Sequence, residues 1–169
     1  MNYKRFVFLD IDGVLASYEY LTKGKGYIDP EKCKLLNTLK DMGVEVVISS
    51  SWGYDNGRTE KSLRDCGFDL PIIGYTEHFY TDWFCRGNEI EKWLINNCKG
   101  MGTKYGVSPE GIPYYRYKYN DEVDYEFAIV DDDKDFLLGQ KDNLVIVDRE
   151  IGITEKDIKK IIDILTRKD

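Results

Sequence analysis

The chain has 169 residues, 42% of them hydrophobic and 33% charged, which suits one folded domain and excludes both a disordered chain and two ordinary domains. Its 24 basic residues face 31 acidic ones, a formal net charge of −7, which disfavours a generic nucleic-acid-binding surface though not a local basic groove. No apolar run is long enough to span a bilayer, and the one after Lys4 and Arg5 stops at Asp10, too soon for a secretory signal, so a cytoplasmic location is the default expectation.

Phe6, Val7, Phe8 and Leu9 form a continuous apolar run of strand length, the pattern of a strand covered on both faces, as in a parallel sheet. It leads into Asp10, Ile11, Asp12 and Gly13. Two acids therefore stand where the strand ends and the chain turns, the place where parallel sheets collect ligands. Burying them costs several kcal/mol unless something compensates, and a divalent cation is the usual compensation.

Residues 16–28, with KGKG at 23–26, read as a loop. Asp29, Pro30 and Glu31 have the order of a helix start: an N-cap acid, a proline in the first turn, then a second acid near the positive end of the dipole. Cys33, Leu36, Leu39 and Met42 give that helix its apolar stripe, and Gly43 ends it. Residues 44–48, VEVVI, form a second buried strand followed at once by Ser49, Ser50, Ser51 and Trp52. Arg58 to Asp65 is a short helix. Leu70 to Tyr75 is a weaker third strand, which Pro71 assigns to an edge or a strand start.

His78 to Cys85 is an aromatic-rich connection, and its histidine is given no catalytic role. Arg86, Gly87 and Asn88 open a helix with Ile90, Trp93, Leu94 and Cys98 on its apolar face. Lys99 to Asp124, with prolines and Tyr105, Tyr114, Tyr115, Tyr117 and Tyr119, reads as an irregular loop or hairpin. Phe127 to Val130 is another buried strand, ending in Asp131, Asp132 and Asp133. A helical turn at 136–138 and a fifth strand over 144–147 follow. Thr154 to Asp157 resembles a capping box, and Ile158, Ile161, Ile162 and Leu165 form the stripe of the last helix. The four cysteines lack paired metal spacing and read as buried, reduced thiols. The alternation predicts an α/β fold: a single Rossmann-like three-layer domain over residues 1–169 with a mainly parallel five-stranded sheet.

Three strands thus end in chemistry-bearing groups: Asp10 with Asp12, the serines at 49–51, and the acids at 131–133. In a parallel sheet these ends share one rim, and Arg86 at a helix start can face it. Carboxylates, hydroxyls and one cation around a crevice suit a phosphate held with Mg²⁺. Asp10 could attack phosphorus, and Asp12 could protonate the leaving oxygen and then deprotonate water.

With these motifs the chain resembles the haloacid dehalogenase (HAD) superfamily of aspartate-nucleophile phosphohydrolases. FLDIDGVL (8–15), VVISSSW (46–52), RGNEIEKW (86–93) and FAIVDDD (127–133) match its four motifs in order, and the chain is most similar to the small HAD domains attached to RNA-repair proteins. The resemblance implies Asp10 as nucleophile and metal ligand, and Asp12 as acid/base with its backbone carbonyl on Mg²⁺. It implies Ser49 or Ser50 on the phosphoryl group, with Ser50 preferred because Trp52 follows two residues later, and Arg86 where the family more often has lysine. Asp131 or Asp132 would complete the metal shell, with Asp135 a further candidate. It also implies a minimal or absent cap, at most a flap around residues 17–28. Such an open site admits a bulky phosphorylated substrate of unknown class, including polynucleotide ends or phosphoproteins. Lys23, Lys25, Lys99, Lys104, Arg116 and Lys118 are candidates for a local basic rim. Two other classes stand beside the phosphatase: a receiver-like signalling domain and a non-catalytic phosphate-binding module.

Overall fold

The first strand, β1 (Lys4–Leu9), shows how the sequence builds the sheet. Successive side chains of a strand point to opposite faces, so Phe6 and Phe8 enter one apolar layer while Val7 and Leu9 enter the other. All four are buried. The computed structural model describes residues 3–54, 57–78, 85–98, 102–107, 113–118 and 124–167. The elements after β1 are α1 (Tyr18–Thr22), α2 (Pro30–Leu36), β2 (Val44–Ile48), α3 (Arg58–Asp65), β3 (Ile72–Tyr75), α4 (Arg86–Asn97), β4 (Gly102–Val107), β5 (Pro113–Lys118), β6 (Tyr125–Asp131), β7 (Leu144–Ile146) and α5 (Glu155–Leu165).

Five strands form one parallel sheet in the order β3-β2-β1-β6-β7, while β4 and β5 pair separately as an antiparallel hairpin. One apolar layer gathers Cys33 and Leu36 of α2, Leu63 of α3 and Ile158, Ile161 and Leu165 of α5. The opposite layer is built on Ile90 and Leu94 of α4, with Trp93 packed edge-on against Phe6 and Phe8. This is the expected three-layer, Rossmann-like α/β architecture. It also removes the receiver-like alternative. That fold places its third strand on the far side of the first, in the order 2-1-3-4-5, whereas here β3 lies outside β2.

Local expectations fare unevenly. The helix after Asp29 changes to a 3₁₀ helix over Asn37–Met42, capped by Gly43 at φ 68°. The stripe Cys33, Leu36, Leu39, Met42 has a strict spacing of three, which matches three residues per turn better than 3.6. The loop expected over 16–28 contains α1, whose N-cap Ser17 accepts a hydrogen bond from Tyr20 N at 3.3 Å. No residue of α1 is buried, so it left no apolar stripe to read. The expected helical turn at 136–138 is instead a 3₁₀ helix over Leu138–Asn143.

Thr154 and Asp157 form the expected cap: the Asp157 carboxylate accepts from Thr154 N at 3.1 Å and Thr154 Oγ1 at 2.7 Å. No disulfide joins any of the four cysteines. Cys33 and Cys98 are buried, but Cys66 and Cys85 are only half-buried. Among the described residues no helix is long and apolar enough to cross a membrane. The connection at 79–84 lies outside the described residues, as do the side chains of the tyrosines at 105–119 and of Lys99, Lys104, Arg116 and Lys118.

Candidate active site

The chain leaves β1 toward β2 on one side and leaves β6 toward β7 on the other, so the strand order reverses between β1 and β6. A crevice opens at the carboxyl ends of strands at such a switch point. Asp10 follows β1 there, its backbone N donating to Val130 O at 3.0 Å, and Asp131 ends β6 beside it. Asp10, Asp131 and Asp132 each bring a carboxylate oxygen to this end of the sheet, and these atoms lie within 4.8 Å of one another.

Gly13 makes this convergence possible. It has φ +71°, and a Cβ at that position would overlap the Asp132 carboxylate. A side chain there would meet both left-handed backbone strain and a collision.

Arg86, at the first turn of α4, donates from Nη1 to Asp10 Oδ1 at 3.1 Å and lies 3.6 Å from Asp131 Oδ2. The same nitrogen donates to the Ser49 carbonyl, so the guanidinium bridges three strand ends. Its position is fixed from behind. Gly87 has no space for a Cβ against Leu137 N and Gln140 Oε1. Buried Gln140 donates to Gly87 O at 3.0 Å and accepts from Leu137 N at 3.2 Å, while Gly87 N donates to Asp135 O at 3.3 Å. The loop after β6 is thereby locked to the start of α4.

Burial pushes the Asp10 carboxyl up, against the opposing pull of Arg86, the Ile11 N–H and a hydrogen bond from Ser50. Asp131 is pushed up to about 7, first by burial and then by the neighbouring charge of Asp10. Asp131 Oδ2 is buried with no hydrogen-bond partner. An orphaned carboxylate oxygen of that kind calls for a cation. With only carboxylate oxygens as donors, the cluster fits a hard divalent ion such as Mg²⁺. Asp10, Asp131 and Asp132 would hold it. Asp133 and Asp135 are exposed and stand outside the cluster. Asp132 also forms an ion pair with Arg149, whose Nε lies 3.1 Å from Oδ2, a cation on the loop after β7.

Asp12 is handled differently. Its carboxylate is not part of the cluster; Tyr27 OH donates to Oδ1 at 2.8 Å and Trp52 Nε1 to Oδ2 at 3.1 Å. The Tyr27 phenol is pushed up by its bond to Asp12, then by burial and the Asp12 charge, so it stays a donor. Trp52 is anchored in turn by Thr59 Oγ1, which donates to the Trp52 carbonyl at 2.5 Å.

Among the serines, Ser50 turns its hydroxyl to Asp10. Ser49 gives its carbonyl to Arg86 while its own hydroxyl is buried without a hydrogen-bond partner, and Ser51 is exposed. Lone His78 pairs with Glu89 at 3.0 Å. Tyr27, Arg149 and Gln140 went unread in the sequence. Each sits in a loop or short 3₁₀ turn without periodicity, and only Trp52, inside the serine motif, was flagged at all. A separate hollow of about 690 Å³ is lined by Tyr3, Arg5, Tyr125 and Arg167 at the opposite end of the sheet. Arg5 there is engaged by the carbonyls of Leu165 and Met42, and the acid cluster is not part of it.

An acid cluster at the switch point of a parallel α/β sheet, with an arginine from the following helix, defines the HAD-like class. The chain belongs to the family described as the HAD domain in Swiss Army Knife RNA repair proteins, whose model matches residues 6–107. That span contains Asp10, Asp12, the serines and Arg86; Asp131 and Asp132 join the site through the geometry. Comparison with curated proteins returns no match, and comparison with solved structures returns none either. Membership in the family supports a HAD-type phosphohydrolase at a coarse level, and the acid cluster is compatible with one.

Proposed function

We propose that this chain is a Mg²⁺-dependent phosphomonoesterase acting through an aspartyl-phosphate on Asp10. The observation that carries this reading is the convergence of Asp10, Asp131 and Asp132 within 4.8 Å, with Arg86 against two of them. Mg²⁺ held there would offset the carboxylate charge and polarise the phosphoryl oxygens.

Arg86 draws the anionic phosphoryl group toward Asp10 and stabilises the charge that builds on its oxygens. Ser50 exchanges its hydrogen bond to Asp10 for one to a phosphoryl oxygen. An Asp10 carboxylate oxygen attacks phosphorus, the bond from phosphorus to the leaving oxygen breaks, and Asp12 gives that oxygen its proton. Asp12, now a carboxylate, removes a proton from water as the water oxygen attacks the same phosphorus. The bond to Asp10 then breaks, inorganic phosphate leaves and Asp10 is restored. Tyr27 and Trp52 hold the Asp12 carboxylate in one orientation through both transfers.

The test is hydrolysis of p-nitrophenyl phosphate with and without Mg²⁺ by the wild type and Asp10→Asn. Wild-type turnover that the variant loses is the expected result; equal activity in the two proteins overturns the assignment of Asp10. A second reading within the same chemistry is a polynucleotide-end phosphatase, favoured by the family's link to RNA repair. Phosphorylated oligonucleotides run beside phosphopeptides separate it from a phosphoprotein phosphatase. Metal binding without turnover on any of them would return the chain to a phosphate-binding module.

A further inference from the structure

Tyr27 and Trp52 face two ways. Their polar tips are spent on Asp12, and their rings lie 4.8 Å apart at a tilt of 46°. Both also line a hollow of about 250 Å³, together with Ile28, Ser62, Asp65 and Cys66. Tyr27 keeps 49% of its surface exposed, although its body is aromatic and its hydroxyl is already satisfied. The chemistry of the acid cluster does not use this hollow.

We propose that the hollow is the leaving-group subsite and takes a nucleobase, stacked against Tyr27 and Trp52 and carried by the sugar whose oxygen leaves phosphorus at Asp12. The assignment rests on the phosphatase reading above. Its first support is placement: the leaving oxygen must come within hydrogen-bond reach of Asp12, so the rest of that group extends among the residues around Asp12. Tyr27 and Trp52 are those residues.

The second support is spacing. The hollow is lined by the two rings but not by Asp12. A ring bonded directly to the leaving oxygen would sit at the carboxylate, whereas a base carried on a ribose reaches past it. The third is chemistry, because aromatic faces bind bases of any sequence by stacking, and Ser62 and Asp65 supply polar edges beside them. Carboxylates accept hydrogen bonds from exocyclic amino groups of bases. Stacking needs no basic surface, so a nucleotide substrate is compatible with a net charge of −7.

The experiment compares adenosine 5′-monophosphate with sn-glycerol 3-phosphate, which share a primary alkyl leaving oxygen and differ in the base. Wild-type kcat/KM is expected to favour the nucleotide by about tenfold, corresponding to about 1.4 kcal/mol. Ser62→Phe, which fills the hollow, is expected to bring that ratio to about one; Cys66→Phe is the second variant should the first fail to fold. A wild-type ratio near one, a ratio unmoved in a folded filling variant, or preference for phosphotyrosine over the nucleotide overturns the subsite. Calorimetric binding of adenosine 5′-monophosphate to Asp10→Asn is measured in parallel. If no substrate turns over, the phosphatase reading fails on its own. Nucleotide binding that Ser62→Phe abolishes still supports the subsite, and absence of binding overturns it.

Discussion

The sharpest quantitative prediction concerns Asp131 in the metal-free protein. Its carboxyl is 1% exposed and is pushed from 3.8 up to about 7 by burial and by Asp10. A group whose proton is held more tightly in the folded chain contributes stability that is fully present below pH 3.8 and is lost as the pH rises through about 7. At about 1.4 kcal/mol per tenfold in proton affinity, the gap between 3.8 and 7 corresponds to on the order of 4 kcal/mol at pH 8. For a chain of this size that is about 10 °C in Tm.

Asp131→Asn keeps the shape and the acceptor for the Asp133 N–H, which bonds Asp131 Oδ1 at 2.8 Å, but cannot ionise. In EDTA, thermal melts from pH 4 to 8.5 should show wild-type Tm falling relative to the variant, with the variant about 10 °C higher at pH 8. Asp157 is pulled the other way: burial opposes its ionisation, but hydrogen bonds from Thr154 and Lys160 prevail. It is present in both proteins and cancels in the difference. Saturating Mg²⁺ should close the gap, because the cation takes the place of the proton on wild-type Asp131 and binds the variant more weakly. Parallel profiles in EDTA, or an equal rise in both Tm values with Mg²⁺, would refute the reasoning.

Gly13→Ala should lower Mg²⁺ affinity about tenfold by calorimetry and cost about 1–2 kcal/mol of stability, from left-handed strain and from displacement of Asp132; unchanged affinity would show that Asp132 is not a ligand. Gln140→Ala leaves Gly87 O and Leu137 N without their partner and should destabilise the chain by about 2–4 kcal/mol in urea unfolding. A loss below about 0.5 kcal/mol, the range of an ordinary surface substitution, would show that the lock between the β6 loop and α4 carries no energy.

The charged groups of the candidate site were legible because each sits in a contiguous motif at the end of a buried strand or the start of a helix. Asp10, Asp12, Arg86 and Asp131 needed only the alternation of strands and helices to be brought onto one rim. The groups that orient them were not, because they come from distant, aperiodic segments. Tyr27 is 15 residues from Asp12 and Trp52 is 40. A tyrosine after KGKG carries no pattern that distinguishes it from any loop residue. Gln140 lies in a 3₁₀ turn and Gly87 in the first turn of a helix; their mutual fit is a fact of packing, invisible to spacing. The 3₁₀ segment after Leu36 was in principle readable, since its stripe repeats every third residue.

The lock between Gln140 and Gly87 gives the site two unequal jaws. Arg86 and Asp131 are borne by elements fastened to each other, so the half of the site that carries the acid cluster and its arginine is held as one fixed vice. Tyr27 and Trp52 instead stand on connecting segments, one of them half exposed. Substitutions in those segments can reshape what is gripped without retuning what is cleaved. In a laboratory selection for new substrates, the useful changes should accumulate around residues 24–28 and 51–54, while the arginine, its glycine and their glutamine hold still.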